Sequence, residues 1–166
     1  MQLFDTHAHL TDERFRDDLT EVLSRAHDEG VRQIVIPSSN MADAQKAVDI
    51  ATQYTSGYLC LYCAVGVHPH DASTLDEVGY EQLKEKISDR WAKRIVALGE
   101  IGLDYHYDYS PRDVQKEAFM RQLNIATEYQ CPIIIRERKA TEDMLVILRD
   151  YYNNGRLLKN PGVFHC

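Results

Sequence analysis

The residues best suited to chemistry are histidines and carboxylates that follow apolar segments. The first such segment ends in FDTHAH, residues 4–9. Residues two apart on extended backbone share one face, so His7 and His9 present two imidazoles on the same side. Two such imidazoles form half of a metal site. The alternative is a pair of surface histidines.

A second candidate group lies in VALGEIGLDY, residues 96–105. Glu100 follows an apolar run, where a carboxylate is costly unless it is paired or bound to a metal. The glycines on either side let the backbone approach a ligand closely. Glu100 is therefore a candidate metal ligand and catalytic group. We interpret Asp104 as a catalytic supporting group that orients ligands.

Two further apolar segments end in histidines. His165 lies at the tip of a predicted strand, as the other candidates do, and this position favours a metal ligand over a structural histidine. In GVHPH, residues 66–70, Pro69 stiffens the turn, and His68 and His70 could face the same opening. Contact with substrate or acid–base assistance and plain loop capping both remain open for this pair.

Elements that alternate along the chain must position these residues. Short β-branched or apolar runs predict strands at 2–6, 33–37, 59–67, 94–100, 131–136 and 162–166. Amphipathic patterns predict helices from 15 to a stop at Gly30, over 40–54, over 75–91, from Ser110-Pro111 with the serine as N-cap, and from 141 to a stop at Gly155. Such alternation indicates a mostly parallel sheet, in which functional groups project from the carboxyl ends of the strands.

Six strands and five helices, with no long linker between them, predict a single βα-repeat domain over 1–166. A closed eight-stranded barrel takes about 250 residues. At roughly 30 residues for each unit, the chain stops about two units short. A doubly wound open sheet fits the length better, but no G-x-G-x-x-G follows the first strand.

Composition limits the classes of function. The chain has 44% hydrophobic and 27% charged residues, no apolar run long enough for a membrane span and no signal-like N-terminus, which together predict a cytoplasmic protein without membrane partners. A net charge of −7 argues against broad electrostatic binding of nucleic acid, so a nucleic-acid enzyme would need metal ions or clustered arginines at its site. We interpret Cys60 and Cys63, three apart on a predicted strand, as buried apolar residues.

Four motifs together resemble the TatD family of metal-dependent deoxyribonucleases: FDTHAHL from residue 4, GVHPH from 66, GEIGLDY from 99 and GVFHC from 162. They occur in the family's order and cover essentially the whole chain. The resemblance implies an α/β fold of the TIM-barrel type, with about six of its eight strands in this chain. It also implies two divalent metal ions (Mg, Mn or Zn) that act on phosphodiester bonds, often in an exonuclease on DNA. On that pattern the metal ligands are His7, His9, Glu100 and His165, and Arg138 lies near the phosphate.

The chain departs from the family pattern in two places. The family carries a metal-binding histidine where this chain has Arg136, and a guanidinium has no lone pair to donate. Either Arg136 occupies the site as a fixed cation paired to Glu100, or it points aside and contacts phosphate with Arg138 and Lys139. The family's aspartate on its last strand has no counterpart up to Cys166.

Two classes of function follow from these observations. The first is a metal-dependent nuclease, or a small-molecule hydrolase that shares its ligands. The second is a non-catalytic or truncated relative that acts as a binding module. The open edges expected at the first and sixth strands also predict self-association.

Overall fold

A computed structural model describes residues 1–157 and 161–165. Six parallel strands form one sheet in the order β1-β2-β3-β4-β5-β6. The strands are β1 (Leu3–Asp5), β2 (Val31–Pro37), β3 (Cys60–Val65), β4 (Ile95–Asp104), β5 (Ile133–Arg138) and β6 (Gly162–His165). The last predicted position of β6, Cys166, lies outside the described residues.

Five α-helices connect these strands. They are α1 (Leu19–Asp28), α2 (Met41–Tyr54), α3 (Glu77–Ser88), α4 (Arg112–Glu128) and α5 (Thr141–Asn153). Short 3₁₀ turns at Glu13–Phe15 and Pro69–Thr74 precede α1 and α3. Apolar side chains of the strands and helices pack into a main core that includes Ile36, Leu61, Leu98, Phe119 and Leu123.

Local capping explains several boundaries and corrects two of the predictions. The Asp76 carboxylate accepts a hydrogen bond from the Gly79 amide, so α3 begins at Glu77 rather than at residue 75. The predicted serine cap of α4 is wrong, because Pro111 occupies the N-cap position. The Ser110 hydroxyl instead donates to the carbonyl of His70, at 2.9 Å.

The order of the strands decides between the two predicted topologies. Strands paired in sequence order have no reversal point of the kind that defines a doubly wound sheet. The rings of His7 and His165, at the tips of the first and last strands, stack with centroids 3.8 Å apart. This contact shows that the sheet curls. The TIM-type fold with six strands is therefore confirmed.

Strand β4 is longer than predicted, because it continues past Glu100 to Asp104. Its glycines lie against the neighbouring strand β5, and the close approach to a ligand that the sequence suggested stays a prediction. A Cβ built on Gly99 would lie 2.7 Å from Cβ of Ile134, and one on Gly102, whose φ is +142°, would lie 2.0 Å from the Arg136 carbonyl oxygen. The missing side chains therefore allow β4 and β5 to approach each other.

The outer strands β1 and β6 form the two edges of the described sheet. Both edges carry exposed apolar side chains, namely Leu3, Phe4, Val163 and Phe164. Self-association through these edges stays a prediction. Among the described helices, none combines the length and the apolar character that crossing a membrane requires.

Candidate metal centre

The carboxyl end of the sheet brings three potential metal ligands together. His7 and His9 follow β1, and Glu100 lies within β4. One ligand atom from each of these residues lies within 4.8 Å of the others. Nε2 of His7 is 3.2 Å from Nε2 of His9 and 3.5 Å from Oε2 of Glu100. The three side chains can therefore converge on a single ion.

Glu100 is buried, with 3% of its surface exposed. The pairing of β4 with β5 is interrupted between Leu98 and Ile101, and the Glu100 amide donates instead to the Ser38 carbonyl, at 3.3 Å. Burial raises the pKa of Glu100, but the hydrogen bond from His7 and the electrostatic influence of the imidazoles of His68, His7 and His165 lower it by more, so its pKa is lowered. The carboxyl group is therefore held ionised.

One oxygen of this carboxylate lacks a partner. Oε1 of Glu100 is buried and accepts no hydrogen bond from any of the described residues. An ionised oxygen in that position is costly unless a cation or a donor reaches it. The unsatisfied oxygen thus points to a positively charged ligand.

His165, at the tip of β6, lies beside this cluster. Its Nε2 is 3.8 Å from Oε1 of Glu100, and its ring stacks on that of His7. Desolvation, followed by the charge of the neighbouring His7, lowers the pKa of His165, and the same two causes lower that of His9. Neutral imidazoles keep the lone pairs that a metal ligand needs.

Arg136 occupies the same end of the sheet. It pairs in register with Gly102 on one side and His165 on the other. Its side chain is 15% exposed, with Nη1 3.9 Å from Oε1 of Glu100 and Nε 3.8 Å from Oδ2 of Asp104. This placement is the first of the two that the sequence left open, and its effect on metal binding stays a prediction.

Asp104 is fully buried and contacts the loop after β4 rather than the metal-ligand cluster. Its Oδ1 accepts hydrogen bonds from the amides of His106 and Tyr107, and its Oδ2 lies 2.9 Å from Nε2 of His70. Burial raises the pKa of Asp104, but the hydrogen bonds from His70 and the two amides have the larger effect, so its pKa is lowered overall. Asp104 therefore contacts His70 among the candidate residues, and its expected role in orienting ligands stays a prediction.

The two histidines of the turn have different surroundings. His68 is buried, and its Nδ1 accepts a hydrogen bond from the His70 amide at 3.1 Å, which is the arrangement of a loop cap. Desolvation lowers the pKa of His68 to about 4, so the ring is neutral near pH 7. His70 is more exposed, with 26% of its side chain accessible. Of the pair, His70 is therefore the one available to a substrate.

Arg138, the last residue of β5, points to the rim of the site. Its guanidinium lies over the ring of Tyr107, 4.9 Å from the centroid. The guanidinium therefore places a positive charge beside the loop after β4, apart from the cluster of His7, His9 and His165. Tyr107 was not among the predicted site residues, although tyrosines recur at every second position from Tyr105 to Tyr109 and this spacing was a signal in the sequence.

Two buried glutamines of α4, which were not among the predicted site residues, hold the ends of the central strands. The amide of Gln122 accepts from the Val67 N–H at 2.8 Å and donates to the Val67 carbonyl at 3.1 Å. Gln115 binds both backbone groups of Asp104 in the same way, at 2.8 and 3.2 Å. The available signal was two polar residues, seven apart, on the inner face of a helix.

The family model described as TatD related DNase matches residues 4–166 of this sequence. The chain belongs to the TatD family. The resemblance noted from the four motifs is thereby confirmed.

Similar proteins include two curated members of this family. YabD of Bacillus subtilis strain 168, named an uncharacterized metal-dependent hydrolase, is 42% identical over 164 residues, which are 99% of this chain and 60% of that protein. The 3′-5′ ssDNA/RNA exonuclease TatD of Escherichia coli K12 is 33% identical over 165 residues, 99% of this chain and 59% of that protein. The chain thus spans about three fifths of the length of these relatives.

Solved TatD-type structures share the fold. A TatD family hydrolase from Entamoeba histolytica superposes with a TM-score of 0.86 at 28% identity, over 100% of this chain and 58% of that one. The YJJV protein of Escherichia coli K12, a TatD homolog, gives 0.80 at 31% identity over 90% of this chain and 56% of that one.

The residues present fit the metal that the TatD family implies. Two imidazoles and a carboxylate suit divalent transition metals, and the carboxylate alone suits magnesium or manganese. The unsatisfied Oε1 of Glu100 supplies the negative charge that a cation would neutralise. Arg136 departs from this fit, because its guanidinium adds a positive charge beside that oxygen.

Proposed function

We propose that this chain is the metal-binding part of a TatD-type hydrolase that cleaves phosphodiester bonds in DNA, as an exonuclease. The convergence of His7, His9 and Glu100 at the carboxyl end of the parallel sheet carries this proposal. The names of its relatives as metal-dependent hydrolase and as ssDNA/RNA exonuclease support it.

In this proposal His7, His9, Glu100 and His165 hold the divalent cation. When bound, such an ion lowers the pKa of water and neutralises charge on the phosphate. Glu100 provides the central carboxylate, since it contacts or approaches both His7 and His165. The sequence resemblance implies a second cation. The Arg136 guanidinium would weaken the binding of this cation by charge repulsion.

The residues around the centre position the substrate. His70 is held through Nε2 by Asp104, which leaves its exposed edge free to contact a nucleotide or to assist proton transfer. Arg138 supplies a charge-assisted donor for a phosphate. His68 keeps the turn in place through its bond to the His70 amide.

Hydrolysis of a labelled single-stranded oligodeoxynucleotide tests the function. We expect shortened products with magnesium or manganese, loss of product with chelator, and at least a roughly hundredfold slower reaction for Glu100→Gln, because the carboxylate charge is removed while its shape is kept. Glu81→Gln, on the exposed face of α3, is the matched control and should keep the wild-type rate. Equal rates for wild type and Glu100→Gln would contradict the proposal.

A binding module without catalysis is the second candidate, and the position of Arg136 beside Glu100 favours it. A cation in the site would experience the guanidinium charge at close range. Calorimetric titration with manganese separates the two candidates. Tight stoichiometric binding that disappears in Glu100→Gln supports the hydrolase, and its absence in the wild type supports the binding module.

A further inference from the structure

Two exposed tyrosines form a stacked pair on the loop after β4. The rings of Tyr107 and Tyr109 have centroids 5.3 Å apart and lie 21° from parallel. Tyr107 is 45% exposed and Tyr109 is 68% exposed. Paired aromatic rings are normally buried, because each removes a large apolar area from water. Their exposure here calls for a function.

The backbone holds this pair in a fixed arrangement. Asp108, between the two tyrosines, has a φ of +51°. Its carboxylate accepts hydrogen bonds from Nε of Arg112 at 3.0 Å and from Nη2 at 2.8 Å. At the two ends of the loop, Asp104 accepts from the Tyr107 amide and the Ser110 hydroxyl donates to the His70 carbonyl. The rings are therefore presented by a loop that is already ordered.

The pair adjoins the candidate metal centre. The ring of His70 meets both tyrosines edge-on, with centroids 5.3 Å from Tyr107 and 4.8 Å from Tyr109. Through Asp104, His70 lies next to Arg136, which reaches Glu100. A nucleotide on the tyrosines would thus lie within a few side chains of the metal ligands.

The charge next to the pair also suits a nucleotide. The Arg138 guanidinium covers Tyr107. The arginines that form ion pairs with carboxylates among the described residues do not include Arg138. It can therefore meet a phosphate without first breaking an ion pair. An aromatic face beside an arginine is the combination that binds single-stranded nucleic acid.

We propose that Tyr107 and Tyr109 are a platform on which an unpaired base of the nucleic-acid substrate stacks, with Arg138 contacting the adjacent phosphate. This inference rests on the proposed phosphodiesterase function and adds the surface that selects single strands. Bases within a duplex are already stacked, whereas an unpaired base has a free face. In a chain of net charge −7, stacking supplies affinity that general electrostatics does not.

Binding measured in chelator tests the platform separately from cleavage. Fluorescence anisotropy of a labelled oligothymidylate should give a Kd roughly tenfold weaker for Tyr109→Ala than for wild type, and a near wild-type Kd for Tyr109→Phe, which keeps the ring. An abasic oligonucleotide of the same length should bind the wild type weakly and show no difference between wild type and Tyr109→Ala. Tyr58→Ala is the matched control, because Tyr58 is 65% exposed and precedes β3 at the opposite end of the sheet.

The outcomes separate this inference from the proposed function. If metal-dependent cleavage occurs but Tyr109→Ala binds oligothymidylate as wild type does, or wild type binds the abasic strand equally well, the platform is disproved and the phosphodiesterase stands. If the ring-dependent difference appears while cleavage is absent with every metal, the platform stands and the phosphodiesterase falls. Failure of wild type to bind oligothymidylate at all overturns the platform.

Discussion

Among the individual side chains, Glu100 and Arg136 form the most unusual pair. They approach to 3.9 Å, yet Oε1 of Glu100 and Nε of Arg136 make no hydrogen bond with any described residue. A buried ion pair offsets its desolvation only when the hydrogen bonds are also satisfied. Stability therefore does not explain why the two groups lie side by side.

Replacing Arg136 by histidine should strengthen metal binding. The change removes a positive charge beside Glu100 and adds an imidazole between β4 and β6. A unit charge about 4 Å from a divalent ion costs about 2 kcal/mol even in water, so we expect manganese to bind at least roughly tenfold more tightly, and a second ion to appear in the calorimetric stoichiometry.

The control for this change is Arg138→His, two residues along the same strand, which alters the charge equally but lies over Tyr107. Its manganese affinity should change much less. Equal affinities for wild type and Arg136→His would show that Arg136 does not repel the metal.

Helix α4 helps to position the candidate site through two buried glutamines. Gln122 and Gln115 are both fully buried, and each satisfies the backbone donor and acceptor of a residue at or just after the end of a strand. The two amides extend the hydrogen bonding of β3 and β4 beyond the sheet. His68 follows Val67 directly, and His70 depends on Asp104, so α4 indirectly fixes both histidines.

Gln122→Leu should therefore destabilise the protein although it makes the core more apolar. The N–H and carbonyl of Val67 would lose their partner while remaining buried, at a cost of roughly 2–4 kcal/mol in the free energy of unfolding. Urea denaturation measures this change. The exposed Gln53→Leu on α2 is the control and should change the free energy by less than about 0.5 kcal/mol. A neutral Gln122→Leu would indicate that the loop rearranges or admits water.

In the molecule as a whole, the candidate ligands join strands that are far apart in the sheet. His7 follows β1, Glu100 belongs to β4 and His165 ends β6. A cation held by these residues would connect both edges of the sheet to its centre. Metal binding should consequently stabilise the fold, because the ligands are brought together only in the folded state.

Divalent metal should raise the thermal midpoint of unfolding. At a free metal concentration one hundred times Kd, the gain is about 2.7 kcal/mol, which corresponds to roughly 5–10 °C for a chain of this size. Differential scanning calorimetry with and without manganese checks this shift. Glu100→Gln should unfold at the same temperature in both conditions. An unchanged midpoint in wild type at saturating manganese would argue against a centre that spans the sheet.

The amino-acid sequence was sufficient to predict the alternation of strands and helices and to place the candidate histidines at or after strand ends, whereas Glu100 lies inside β4 rather than at its end. Both follow from local periodicity, since side chains alternate on a strand and recur every three or four residues on a helix. The family motifs added the barrel type. Several boundaries differed from the prediction, including the strand limits at Val31, Val65 and Arg138. Those at Glu77, Pro111 and Asp104 depend on caps and on pairing with β5.

The directions of side chains whose partners are distant in sequence became known from the three-dimensional packing alone. It directed Arg136 toward Glu100, made Asp104 the partner of His70, and stacked Tyr107 on Tyr109 beside that histidine. A long side chain can adopt several rotamers on the same backbone, and neighbours from other strands select among them. For that reason the sequence left the alternatives for Arg136 open, while the curled sheet selected one.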